Sequence, residues 1–89
     1  MEPAELARRE APGDLPPLLA ALWWDARGDW ARAHELAQSV DTAEGARVHA
    51  YLHRKEGDLG NADYWYRRAG CRRPAVTLEE EWVDLARAF

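Results

Sequence analysis

The stretch KEGDLGNADYWY, residues 55–66, decides how the chain is read. Laid over ARGDWARAHELA, residues 26–37, it matches at an offset of 29 residues. Gly57 falls on Gly28, Asp58 on Asp29, Leu59 on Trp30 and Ala62 on Ala33, and upstream Ala50 falls on Ala21. A Gly-Asp pair between two helical patterns has a physical meaning. Glycine takes the left-handed conformation that ends one helix, and aspartate caps the free amides that begin the next. The alanines suit a place where two helices cross closely. Each unit therefore reads as helix, Gly-Asp turn, helix, and this internal repetition is the most informative feature of the chain.

Working outward, Leu15, Leu18, Leu19, Leu22, Trp23 and Ala26 share one stripe at helical spacing, with Trp24 on the opposite side. Asp14 is a candidate cap there, and Pro16-Pro17 a tolerated first turn. The next helix, capped by Asp29, turns Trp30, Ala33, Leu36, Ala37 and Val40 inward. Asp41-Thr42-Ala43-Glu44 reads as a capping box that opens a third helix, from about Thr42 to Glu56. That helix has two packed sides: Val48, Tyr51 and Leu52 on one, and Ala46 and Ala50 with His49 and His53 on the other. It should lie between neighbours. The fourth helix, about Leu59 to Ala69, buries Ala62, Trp65, Tyr66 and Ala69 and leaves Tyr64, Arg67 and Arg68 outward. Gly70 and Pro74 stop it. Thr77-Leu78-Glu79-Glu80 is a second capping box, followed by an inward stripe of Leu78, Trp82, Leu85 and Phe89. A short helix fits between Pro3 and Glu10, before Pro12-Gly13 breaks it.

No stretch alternates with period two, so no sheet is expected. The reading is an all-α single domain of about five helices. Residues 1–14 form a partly ordered N-terminal segment, 15–40 a first helical pair, 41–74 a second, and 77–89 a C-terminal capping helix.

The second pair resembles the tetratricopeptide repeat, whose second helix carries G-D/N-aromatic, an alanine, an aromatic, a further alanine and a following proline. Gly57, Asp58, Leu59, Ala62, Tyr66, Ala69 and Pro74 stand at those places. The first pair matches in part, with Gly28, Asp29, Trp30 and Ala33, but has Ala37 where the aromatic belongs and no closing proline. The offset of 29 is shorter than the family's period of about 34 residues. The first-helix signature is replaced by Ala46, His49, Ala50 and His53 in the second pair. Over ARVHAYLHRKEGDLGNADYWYRRAG, residues 46–70, the chain is also similar to a group of small bacterial proteins, a resemblance that implies no activity.

Composition narrows the function classes. The chain has 89 residues, 31% of them charged, 47% hydrophobic, and a net charge of −4. That describes one globular domain whose overall charge opposes nucleic-acid binding. No apolar run approaches the roughly 20 residues of a membrane span, and MEPAELARREAPGD has no apolar segment of a secretory signal. Cys71 is the only cysteine, which excludes an intramolecular disulfide and suits a reducing cytoplasm. Arginine and alanine usage points to a GC-rich bacterial source.

Candidate sites follow. Arg47, Tyr51, Arg54 and Lys55 lie on the helix that, by the tetratricopeptide resemblance, lines a concave groove. There they would grip an acidic peptide by bidentate pairing and ring contact. Trp24 and Tyr64, off the core stripes, are candidate partner contacts, set against burial under a terminal segment. His49 and His53, four residues apart, could present two imidazoles to a metal ion. His34, Glu56 or Asp63 would have to supply further ligands, and the alternative is two hydrogen-bonded core histidines. Arg67, Arg68, Arg72 and Arg73 suit a helix C-terminus, with Glu79, Glu80 and Glu81 to offset them. Ser39 and Cys71 lack a base or an orienting group, and no phosphate-cradling loop is present. The expectation is a non-catalytic module without a cofactor that binds a protein or peptide partner. A metal or small-ligand binder and a homodimer are the alternatives.

Overall fold

The computed structural model describes residues 1–89. The chain is all-helical, with no strand, and has six helices: α1 Pro3–Arg8, α2 Pro17–Ala26, α3 Trp30–Gln38, α4 Ala43–Lys55, α5 Leu59–Arg68 and α6 Leu78–Ala88. The sixth is the short α1, whose Leu6 is fully buried. The N-terminal amine donates to the carbonyl of Ala86, 2.8 Å away, so the first residue is tied to α6.

Caps account for most of the boundaries. Gly28 and Gly57 take positive φ, 83° and 90°, where a residue with a Cβ is strained. Asp29 then accepts from the amide of Arg32 at 3.0 Å, and Asp58 from the amide of Asn61 at 3.2 Å. The Thr77–Glu80 capping box forms in both directions. Two expected caps move. Asp14 is not a cap; α2 begins on Pro16-Pro17 without a side-chain acceptor, and Asp14 lies 3.6 Å from Arg9. At α4 the cap is Thr42 rather than Asp41, because Thr42 holds the extended conformation and accepts from the amide of Gly45 at 3.1 Å. The third helical residue is then Gly45, which has no side chain to complete a box.

The core gathers Leu18, Leu19, Leu22 and Trp23 of α2, Ala33 and Ala37 of α3, Val48, Tyr51 and Leu52 of α4, and Leu85 and Ala86 of α6 around Leu6. Ala26, placed on the apolar stripe of α2, is its last residue and is exposed. A second, smaller core joins Ala50 to Ala62 and Tyr66. α4 is packed on both sides as its sequence requires. Three indoles bury their rings while giving N–H to a distant carbonyl, the usual solution for a half-buried tryptophan. Trp23 reaches Arg9 at 2.9 Å, Trp30 reaches Leu52 at 2.8 Å, and Trp82 reaches Leu22 at 3.0 Å.

The path of α6 matters most for function. The segment after α5 carries the chain back, so that α6 runs beside α1, α2 and α4. α5 runs beside α4 alone, and one hydrogen bond links it to α6, from the Tyr66 hydroxyl to Glu81 at 2.6 Å.

Candidate functional site

The six residues expected to contact a partner do not share a face. Tyr51 is 2% exposed, and its hydroxyl donates to Asp25 at 2.7 Å. Burial, and then the Asp25 carboxylate, push that phenol far above its ordinary range, so it stays a donor. Arg54 also points inward, donating to Glu81 at 2.7 Å and to the carbonyl of Val76. Lys55 donates to the same Asp25 at 2.8 Å. All three therefore meet carboxylates of the same chain, Arg54 on the acidic α6 and Tyr51 and Lys55 on Asp25 at the end of α2. Arg47 is half-buried on α4. Trp24 is half-buried, edge-on to Trp23 at 5.0 Å and covered by the Arg32 guanidinium at 4.4 Å. Of the six, two are exposed: Lys55, held by Asp25, and Tyr64, outward on α5 and 44% exposed.

Glu81 was not expected inside. It is 1% exposed and accepts from both Arg54 and Tyr66. Its neighbours in sequence, Glu79 and Glu80, are exposed. Its position in the same turn as Leu78, Trp82 and Leu85 was the available signal, hidden by its charge. Of the arginines beyond α5, Arg73 is offset by Asp63, at 3.2 Å, rather than by α6.

Two arrangements remain with functional character. The first is the outer face of α5. There the Arg68 guanidinium donates to the Tyr64 hydroxyl at 3.2 Å and lies 5.2 Å from the centre of the Trp65 ring. Arg67, the preceding residue, is also exposed. A basic group is thus held against two aromatic rings on an open surface.

The second lies between α3, α4 and α5, where His34, His49 and His53 come together. The Nε2 atoms of His34 and His49 are 2.9 Å apart. Nδ1 of His53 lies 2.8 Å from the carboxylate of Glu56, and its Nε2 lies 3.3 Å from the amide nitrogen of Asn61. Trp30 stacks on His34 at 4.7 Å, and Trp65 stacks on His49 at 4.0 Å. One nitrogen from each histidine can be chosen so that all three lie within 4.8 Å of one another, close enough to hold a metal ion. Asp63, once a candidate neighbour, is turned away toward Arg73. His34 was the member whose convergence was hardest to foresee, because it depends on how α3 packs along α4 rather than on spacing within one helix.

Crowded imidazoles resist protonation. Burial, followed by the charges His34 and His53 would carry, pulls His49 down to about 4, and burial and His53 lower His34. A base whose folded pKa is depressed stabilises the fold above its unfolded pKa, here about 6.5. That contribution is lost as pH falls toward about 4. The domain is therefore expected to lose stability between those limits, with uptake of a proton by His49. Urea midpoints that stay level from pH 7 to pH 4.5, while the His49→Phe variant behaves alike, would contradict this. In comparison with protein-family models, curated proteins and solved structures, no match to the chain is found.

Proposed function

We propose that the domain is a non-catalytic interaction module that docks an acidic segment of a partner protein on the outer face of α5. The observation that carries this is the pairing of Arg68 with Tyr64 over Trp65, on the one helix of the second pair that has a neighbour on a single side. Holding a guanidinium in place before binding lowers the ordering cost of association. Its planar fork then suits a carboxylate. In a stack of helical pairs, the exposed end is the surface the next element would cover. Here α6 turns back to the other side of α4, and that end stays open. The resemblance to tetratricopeptide pairs supports the same reading, with the docking surface moved from the groove helix to its partner.

The test is a charge reversal that leaves the core alone. Arg67→Glu with Arg68→Glu should abolish capture of the partner from a lysate of the native source without lowering Tm by more than a degree or two, because both side chains are exposed. Capture by the wild-type chain should also weaken with added salt. Unchanged capture by the double variant would sink the proposal. Sedimentation of the pure chain separates the alternative, since a dimer broken by the same reversal would make a second copy the occupant of this face.

A further inference from the structure

We propose that His34, His49 and His53 form a three-histidine site for a late first-row divalent cation, zinc foremost. The inference rests on the side-chain cluster between α3 and α4; it shares Trp65 and Arg68 with the α5 face but does not require a partner to dock there.

Geometry comes first. Zinc binds imidazole nitrogen at about 2.0–2.1 Å in tetrahedral arrangement, which sets neighbouring ligand nitrogens about 3.3 Å apart. The Nε2 atoms of His34 and His49 face one another at 2.9 Å. An ion entering between them needs an opening of only a few tenths of an ångström. The three ligand nitrogens all lie within 4.8 Å of one another, so a modest turn of the His53 ring brings the group onto one ion. His49 and His53 are one helical turn apart on α4, so their rings rise from the same face. His34 comes from α3, and the ion would join the two helical pairs.

The surroundings are those of a ligand set. Metal-bound histidine commonly gives its other ring N–H to a carboxylate, which fixes the tautomer. His53 has that partner: Nδ1 on Glu56 leaves Nε2, now beside the Asn61 amide, free for the ion. His34 and His49 share a single Nε2–H···Nε2 hydrogen bond. When both nitrogens ligate, that proton moves to the Nδ1 of the same ring by tautomerisation, so no net proton is released. The rings are also held in orientation by stacking, His34 on Trp30 and His49 on Trp65. A cleft of about 320 Å³, bounded by Thr42, Gly45, Trp65 and Arg68, reaches His49 and gives the ion a route in. Imidazole as the sole ligand type suits zinc, copper, nickel or cobalt and disfavours magnesium or calcium. Three protein ligands leave the fourth position to water.

The experiment uses the whole chain without a purification tag, stripped by chelator. Calorimetric titration with Zn²⁺ should give about one site per chain. Co²⁺ should give the intense visible absorption of a tetrahedral site. His49→Phe keeps a ring to stack on Trp65 and should abolish both signals. Glu56→Gln alters a residue that touches no ion and should weaken zinc binding about 10–100-fold. Mg²⁺ should give no heat of binding. The proposal is overturned if zinc does not bind stoichiometrically, if Co²⁺ shows only the weak bands of octahedral coordination, or if Glu56→Gln binds zinc as the wild type does. Should His49→Phe fail to fold by circular dichroism, the Co²⁺ spectrum of the wild type and the Glu56→Gln affinity decide.

Discussion

Replacing Glu81 by alanine is expected to remove about 3–5 kcal/mol of stability, the cost of breaking a buried ion pair by deleting one partner. Glu81 is almost wholly inaccessible, and the Arg54 side chain is 17% exposed. Truncation leaves the guanidinium with only the Val76 carbonyl, and the Tyr66 hydroxyl without its acceptor. Against a total of about 5–15 kcal/mol for a domain, this is a large fraction, and α6 should detach or the chain should unfold near room temperature. Glu81→Gln should cost less, because the amide oxygen still accepts from Tyr66 while the positive charge goes unmatched. Tyr66→Phe should cost least, since the remaining pair stays intact. Urea unfolding of the three variants checks the order. A loss of under about 1 kcal/mol for Glu81→Ala would show that water reaches Arg54 and that the pair behaves as a surface bridge.

Gly45→Ala is expected to destabilise by about 3 kcal/mol, at the upper end of the usual cost of overpacking. Helix propensity alone predicts the opposite sign, because alanine is favoured over glycine by about 1 kcal/mol in a helix interior. A Cβ on Gly45 would stand 1.9 Å from the carbonyl oxygen of Val40 and 2.9 Å from its carbon. Those are backbone atoms, so relief requires moving the turn between α3 and α4 or unwinding the first turn of α4. Gly60 supplies the control. It lies in the first turn of α5 with no heavy atom within 4 Å of an added Cβ, and Gly60→Ala should be neutral or stabilise by a few tenths of a kcal/mol. Thermal melts of the two variants should move in opposite directions. A Gly45→Ala protein as stable as the wild type would mean that the α3–α4 turn yields readily.

The helices were legible because their signals are local. Gly28-Asp29, Gly57-Asp58 and Thr77–Glu80 each act within a few residues, and the two packed sides of α4 follow from spacing alone. Where α6 goes was not legible. It depends on Glu81 finding Arg54 and on Trp82 reaching Leu22, contacts made across 27 and 60 residues of chain. That placement draws Arg54 inward onto Glu81, while Asp25 of α2 takes the Tyr51 hydroxyl in the interior and the Lys55 ammonium at the surface. They are basic and aromatic groups that take carboxylates, and the carboxylates they meet come from the same chain. The histidine cluster was half legible. His49 and His53 share a face by spacing, whereas His34 joins them through the angle at which α3 meets α4.

The stacking of indole on imidazole carries a spectroscopic consequence. Trp30 lies nearly parallel to His34, at 13°, and Trp65 nearly parallel to His49, at 19°. An imidazolium in van der Waals contact with an excited indole is an efficient electron acceptor, whereas a neutral imidazole is a poor one. The intrinsic ultraviolet emission of the folded chain should therefore dim as the cluster takes up protons. The domain carries its own optical readout of the histidines, with no label attached.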